Sequence, residues 1–211
     1  MNHFGVYLLL LVIGYFCGCI QSGYFVGRAN GIDIRDYGSG NAGSTNVLRV
    51  LGKGWAAVTF LGDFFKGFIP VMIVGLLVAP KIPGVDPKLA QLIIGFGAVL
   101  GHDYPFFLKF KGGKGVATSA AVMTAFDWRM GLISVIIFLI VLVLTRYVSL
   151  GSCLVSIGFL VEMAIFQHFR PDLMIMTFLY TFFIIYRHRT NIQRLLSGTE
   201  SKIGQKVEIK K

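Results

Sequence analysis

Three stretches hold most of the residues in this chain that could do chemistry. They are GSGNAGSTNVLRVLG from Gly38 to Gly52, GHDYPFFLKFKGGKGVATSA from Gly101 to Ala120, and RHRTNIQRLLSGTESKIG from Arg187 to Gly204. In the first, Gly38, Gly40 and Gly43 permit positive φ, so that several backbone N–H groups can aim at one anion. Ser44 or Thr45 is expected to cap a short helix whose N-terminus also attracts anions, and Arg49 leans back toward that end from one turn further on. The spacing Gly38-x4-Gly43-Ser44-Thr45 approaches a nucleotide P-loop. It lacks the lysine, however, and no strand can precede a short interhelical loop, which argues against nucleotide hydrolysis. Read alone, the stretch could also be a solvated turn.

The second stretch repeats the design, with glycines 112, 113 and 115 around Lys114 just before a helix that carries Thr118 one turn inside. Two such nests suggest two phosphates, although Lys114 alone could be a lysine that snorkels to the interface. His102 and Asp103 are expected to make helix-end hydrogen bonds. In the third stretch, His188 and Asn191 stand three apart and share a helix face. The first can take a proton near neutral pH, and the second can donate to and accept from a hydroxyl or phosphate. Ser149 and Ser152 open a later helix and are weaker candidates. Asp63 and Lys66, also three apart, lie ~14 Å into a span at helical rise, as an ion pair that braces the floor of a site.

The elements that must position these residues are apolar. The chain has 211 residues, 55% hydrophobic and 14% charged, which excludes a soluble domain and predicts an all-α, polytopic membrane protein with a single domain over residues 1–211. A bilayer core of ~30 Å needs roughly 20 helical residues, and about seven segments qualify, near 4–27, 54–79, 89–107, 116–127, 130–145, 149–168 and 172–186. Asp127-Trp128-Arg129 separates the fourth from the fifth. With the N-terminus outside, only Lys81, Lys88, Arg129 and Arg170 face outward and fifteen of the twenty Lys and Arg residues face the cytoplasm, including Lys206, Lys210 and Lys211 in the basic tail from about 187. All three motif stretches then lie on the cytoplasmic side, and the C-terminus is inside. The first apolar run continues without a cleavage-like site and is expected to remain as a span. Cys17, Cys19 and Cys153 lie in apolar segments and read as buried structural thiols. The net charge of +10 is spread through short loops, which does not suit a nucleic-acid surface.

A cytoplasmic pocket with two phosphate nests, set in an apolar bundle, suits a reaction between a phosphorylated soluble metabolite and a phosphorylated or lipidic partner. No HxxxxD pair follows any histidine, and no paired-aspartate metal motif is present, so no metal or cofactor is expected. The rival reading is an organic-phosphate transporter, whose polar residues should continue to the outer face.

The stretches GSGNAGSTNVLRVLGKG, GHDYPFFLKFKGGKGVAT and HRTNIQRLLSGTESKIG together resemble the three cytoplasmic motifs of the bacterial acyl-phosphate:glycerol-3-phosphate acyltransferases, and weaker similarity covers GCIQSGYFVGR, DFFKGFIPV and RYVSLGS. Ala42 stands where proline is frequent and Ser44 where alanine is. The resemblance implies a seven-span enzyme of the bacterial inner membrane that moves a fatty acyl group from acyl phosphate to the 1-hydroxyl of glycerol 3-phosphate, giving lysophosphatidic acid and phosphate. By the same resemblance, Ser39, Arg49, Lys114, His188 and Asn191 are expected to serve catalysis. Asn41, Gly43, Ser44, Thr45, Asn46, Gly113, Thr118 and Ser152 are expected to hold substrate.

Overall fold

The computed structural model describes residues 3–205, so Lys206, Lys210 and Lys211 lie outside the described residues. Among the described residues the regular structure is helical: α1 (His3–Gly18), α2 (Ser22–Ala29), α3 (Ser44–Leu51), α4 (Lys53–Ile73), α5 (Pro87–Asp103), α6 (Val116–Phe126), α7 (Trp128–Thr145), α8 (Val148–Phe166), α9 (Pro171–Arg187) and α10 (Arg189–Leu196). The seven expected segments correspond to α1 with α2, then α4 to α9. Asp127 does separate α6 from α7, because its carboxylate accepts from the Arg129 N–H and caps the new helix.

Helix length does not fix seven crossings. Four stretches are long and apolar enough to cross a bilayer, His3–Ala29, Lys53–Lys81, Trp128–Thr145 and Val148–Phe166, while α5 and α9 have 17 residues each and α6 has 11. At 1.5 Å per residue α6 reaches only about 16 Å, roughly half the hydrocarbon core. The third segment also ends at Asp103 rather than at 107, since Pro105 cannot continue the helix.

The first segment is broken rather than continuous. Between α1 and α2 the Ile20 carbonyl leaves the helical ladder, and the buried amide of Gln21 donates to the carbonyls of Gly18, Gly101 and His102. Bare backbone at membrane depth is tolerated only when protein groups satisfy it in this way. The α1–α5 pair packs closely because glycines face each other. A Cβ on Gly97 would stand 2.2 Å from the Leu11 carbonyl oxygen, and one on Gly101 would stand 2.0 Å from that of Tyr15. Gly14 and Gly18 answer from α1, so small residues at i and i+4 on both helices let the backbones meet. The core continues through Leu92, Met123, Phe159 and Tyr180, whose hydroxyl donates to the Leu92 carbonyl at 2.7 Å. The outer faces are apolar and bare, with Val143 and Leu144 about three-quarters exposed. These are surfaces for lipid.

Candidate active site

The loop ends of α3, α6, α8 and α10 meet around a cavity of about 580 Å³. Eleven of the thirteen expected site residues line it: Ser39, Asn41, Gly43, Ser44, Thr45, Asn46, Arg49, Lys114, Ser152, His188 and Asn191. Gly113 and Thr118 do not. Thr118 is fully buried, and its hydroxyl donates to the Asp63 carbonyl, joining α6 to α4. Away from the polar end the cavity becomes an apolar groove between Phe60 and Phe64 of α4 and Phe138, Leu139 and Leu142 of α7, over Ala117 and Ala120 of α6.

A chain of hydrogen bonds orders the polar end. Lys114 donates its ammonium proton to Asn191 Oδ1, Asn191 Nδ2 donates to Glu200 Oε1 at 2.6 Å, and the same oxygen accepts from Ser149 Oγ at 2.8 Å. Arg194 Nε donates to Glu200 Oε2 at 2.7 Å. Burial pushes the Glu200 carboxyl up, but the bonds from Asn191, Arg194 and Ser149 outweigh it and hold it below the usual range, so it is an anion. Burial pushes Lys114 down to about 8 against the pull of Glu200, with Arg194 and Arg187 adding to the drop. Lys114 is therefore a cation at neutral pH, but a readily discharged one.

His188 follows the last turn of α9. Its Nδ1 lies 2.8 Å from the Ile184 carbonyl. A carbonyl oxygen only accepts, so Nδ1 carries the proton and Nε2 offers its lone pair. Burial, with the charge of Lys114 beside it, pushes His188 down to about 4, which keeps the ring neutral at physiological pH. Arg49 donates to the Ser201 carbonyl at 3.3 Å, and its Nε is buried without a hydrogen-bond partner among the described residues. Burial lowers its pKa, yet a guanidinium remains charged.

The first loop differs from the expected nest in detail. Gly38 and Gly40 have positive φ, but Gly43 has φ −82°. The Ser39 N–H is taken by Asn46 Oδ1 and the Gly43 N–H by Asn41 Oδ1, while Asn46 Nδ2 ties down the carbonyls of Ile34 and Tyr37. Neither Ser44 nor Thr45 caps α3. Gly43 is the N-cap, and its carbonyl accepts from Asn46 and Val47, which leaves the N–H groups of Ser44 and Thr45 as the helix-end donors.

The second loop is built differently from the expected nest: of its glycines only Gly115 has positive φ, as the N-cap of α6. The Gly112 N–H donates to the Asp103 carbonyl and the Gly113 N–H to that of His102, so these glycines fold the loop back onto α5. A Cβ on Gly113 would stand 1.8 Å from His102 Nε2, which shows that close approach is what glycine provides here. Arg187 clamps the outer side of the turn by donating to the carbonyls of Gly112 and Gly113, and it stacks over Tyr104. Lys114 is thus held by a rigid turn.

Beneath the site, Lys66 donates to Asp63 Oδ1 at 2.8 Å, to the freed Ile20 carbonyl at 2.7 Å and to His102 Nδ1 at 2.7 Å. All three ammonium protons have acceptors, which is how an almost fully buried charge survives there. The expected ion pair is present, and Asp63 and His102 both line the cavity. His102 makes a helix-end bond through its carbonyl, which accepts from the Gly113 N–H, while its side chain joins this cluster.

Glu200, Arg187 and Gln21 were not singled out from sequence. Glu200 carried one signal, as a lone carboxylate among Arg187, Arg189, Arg194 and Lys202. Arg187 was one basic residue among many, and nothing near Gln21 marks it. Among the described residues, no three His, Cys, Asp or Glu side chains cluster in a way that could hold a metal ion.

Residues 8–198 match the family model described as Glycerol-3-phosphate acyltransferase. Proteins of that name from Thermoanaerobacter sp. (strain X514) and Clostridioides difficile (strain 630) are each 46% identical to the chain, over 96% of it and 98% of their own length. The one from Bacillus subtilis (strain 168) is 43% identical over 92% of the chain and 96% of its own length. The fold matches the crystal structure of PlsY (YgiH), an integral membrane glycerol 3-phosphate acyltransferase, in its glycerol 3-phosphate form with a TM-score of 0.84 at 38% identity, covering 94% of this chain and 96% of that one. The lysophosphatidic acid form of the same protein matches with a TM-score of 0.82 at 37% identity.

Proposed function

As this chain belongs to the glycerol-3-phosphate acyltransferase family of integral membrane proteins, we propose that it transfers a fatty acyl group from acyl phosphate to the 1-hydroxyl of glycerol 3-phosphate. The products are lysophosphatidic acid and inorganic phosphate. The observation that carries this reading is the cavity itself. Arg49, Lys114 and the N-terminus of α3 face one polar end, which opens directly into an apolar groove between α4 and α7.

Acyl phosphate is a mixed anhydride whose phosphate leaves readily, so positioning and charge neutralisation carry most of the catalysis. Arg49, Lys114 and the free N–H groups of Ser44 and Thr45 neutralise the two phosphates, and the fatty chain lies in the groove. The hydroxyl oxygen of glycerol 3-phosphate attacks the acyl carbon, the C–O bond to the leaving phosphate breaks, and that phosphate keeps the electron pair. The hydroxyl proton passes to His188 Nε2 or to an oxygen of the leaving phosphate, while Asn191 and Ser39 orient the nucleophile. Glu200 acts through Asn191 and sets the direction of its amide.

The positive-inside bias supports an orientation with the motif loops in the cytoplasm and the N-terminus outside, and the family resemblance supports a bacterial inner membrane as the site. The test is direct: purified protein given labelled glycerol 3-phosphate should form lysophosphatidate from palmitoyl phosphate but not from palmitoyl-CoA. Efficient turnover of the thioester would overturn the donor assignment.

A further inference from the structure

A second recess, of about 460 Å³, lies against the other side of the first loop and is lined by Tyr24, Arg35, Asp36, Gly40, Phe107, Leu108, Lys109 and Lys111. Arg35 is already paired, gripping Asp33 through Nε and Nη2, while its Nη1 reaches the Leu108 carbonyl at 3.5 Å. Lys109 and Lys111 are exposed, and their ammonium groups have no hydrogen-bond or ion-pair partner among the described residues. Asp36, also exposed, offsets one of them, so the recess keeps a positive excess.

One rim of this recess is a bare aromatic wall. Phe107 stacks with Phe25 at 6.5 Å and meets Phe106 edge-on, which in turn meets Phe16, and all four are between 42% and 58% exposed. Phe16 and Phe25 belong to the first apolar segment, so the wall faces hydrocarbon while the lysines stand at the interface. Lys109 and Phe110 are held at φ 54° and 59°, which turns the chain sharply, and both lysines border the same recess as Phe107 of the wall. A positive recess over an exposed aromatic surface at the membrane boundary has the chemistry of a phospholipid seat, phosphate above and acyl chains below.

We propose that this recess binds the headgroup of an anionic phospholipid, separately from the acyltransferase cavity. The occupant bridges the two loops that build the catalytic site. Asp36 and Gly40 line the recess while Ser39 and Asn41 line the cavity, and Lys109 and Lys111 lead into Lys114. Binding is therefore a means by which membrane charge bears on the phosphate-holding loop.

The experiment reconstitutes the full chain in phosphatidylcholine vesicles containing a trace of phosphatidylglycerol with a photoreactive headgroup, and maps the cross-links by peptide mass. Labelling is expected on residues 35–40 and 104–111, displaced by unlabelled phosphatidylglycerol but not by phosphatidylcholine or inorganic phosphate. The exposed double variant Lys109→Gln/Lys111→Gln should lose labelling about tenfold or more, with its melting temperature unchanged. Lys88→Gln, at the far end of α5, should keep it. Labelling that ignores the double variant, or that phosphatidylcholine displaces equally, overturns the proposal. Equal displacement by inorganic phosphate also overturns it and assigns the recess to a soluble anion. None of these outcomes depends on turnover, so they stand apart from the donor assay above.

Discussion

Lys114 and Asn191, 77 positions apart in the chain, share a hydrogen bond, with the ammonium donating to the side-chain carbonyl. That bond makes two loops one machine. Lys114→Ala should lower kcat/KM by about a hundredfold to a thousandfold, the usual loss when one charge-stabilising donor is removed. If the pair works as a unit, adding Asn191→Ala should cost much less than it does alone. Full additivity in that double-mutant cycle would separate the two residues.

The same lysine sets the alkaline limb of the pH profile. Its pKa in the free protein is pushed down to about 8, so its charge is present below that value and lost above it. Plots of log kcat/KM for glycerol 3-phosphate should bend downward near pH 8 toward a slope of minus one. A profile flat to pH 10 would mean that the charge of Lys114 is not required.

His188 should leave the neutral range untouched. With its pKa pushed down to about 4, the ring is already neutral through pH 5 to 7.5, and Nε2 needs no deprotonation to act. Activity attributable to His188 should therefore show no inflection near the ordinary histidine value of ~6.5, which a comparison of wild type with His188→Ala across that range checks. A large residual rate in the variant would favour the leaving phosphate as proton acceptor.

Below the site, Lys66→Met should be more harmful than Asp63→Asn/Lys66→Met. The single change leaves an uncompensated carboxylate in the membrane interior, a cost of about 3–5 kcal/mol, while the double change removes both charges. Thermal unfolding in detergent should rank the two variants in that order, and the reverse order would mean that the pair does not brace the floor.

Much of this arrangement could be read from residues alone. Asp127 announced the break between α6 and α7. His188 and Asn191 both reach the cavity, but not from the one helix face their spacing suggested: α9 ends at Arg187, His188 sits at the junction and Asn191 stands on α10. What could not be read depends on partners distant in sequence. Gln21 closes the break between α1 and α2 by reaching carbonyls 80 and 81 positions away, and no proline or glycine at 19–21 betrays it. Glycine was legible as a type but not as a role. Gly38 and Gly40 turn the chain with positive φ, whereas Gly112 and Gly113 only admit α5, and the pattern of the two stretches looks alike. Asn46 reads as a substrate contact until its amide is seen spanning Ser39, Ile34 and Tyr37.

The most direct test is a structure of this chain with glycerol 3-phosphate bound. The phosphate should lie in hydrogen-bond contact with Arg49, Lys114 and the first turn of α3, with the 1-hydroxyl directed toward His188 and the apolar groove. A phosphate seated elsewhere, touching neither Arg49 nor Lys114, would contradict the proposed function of this site.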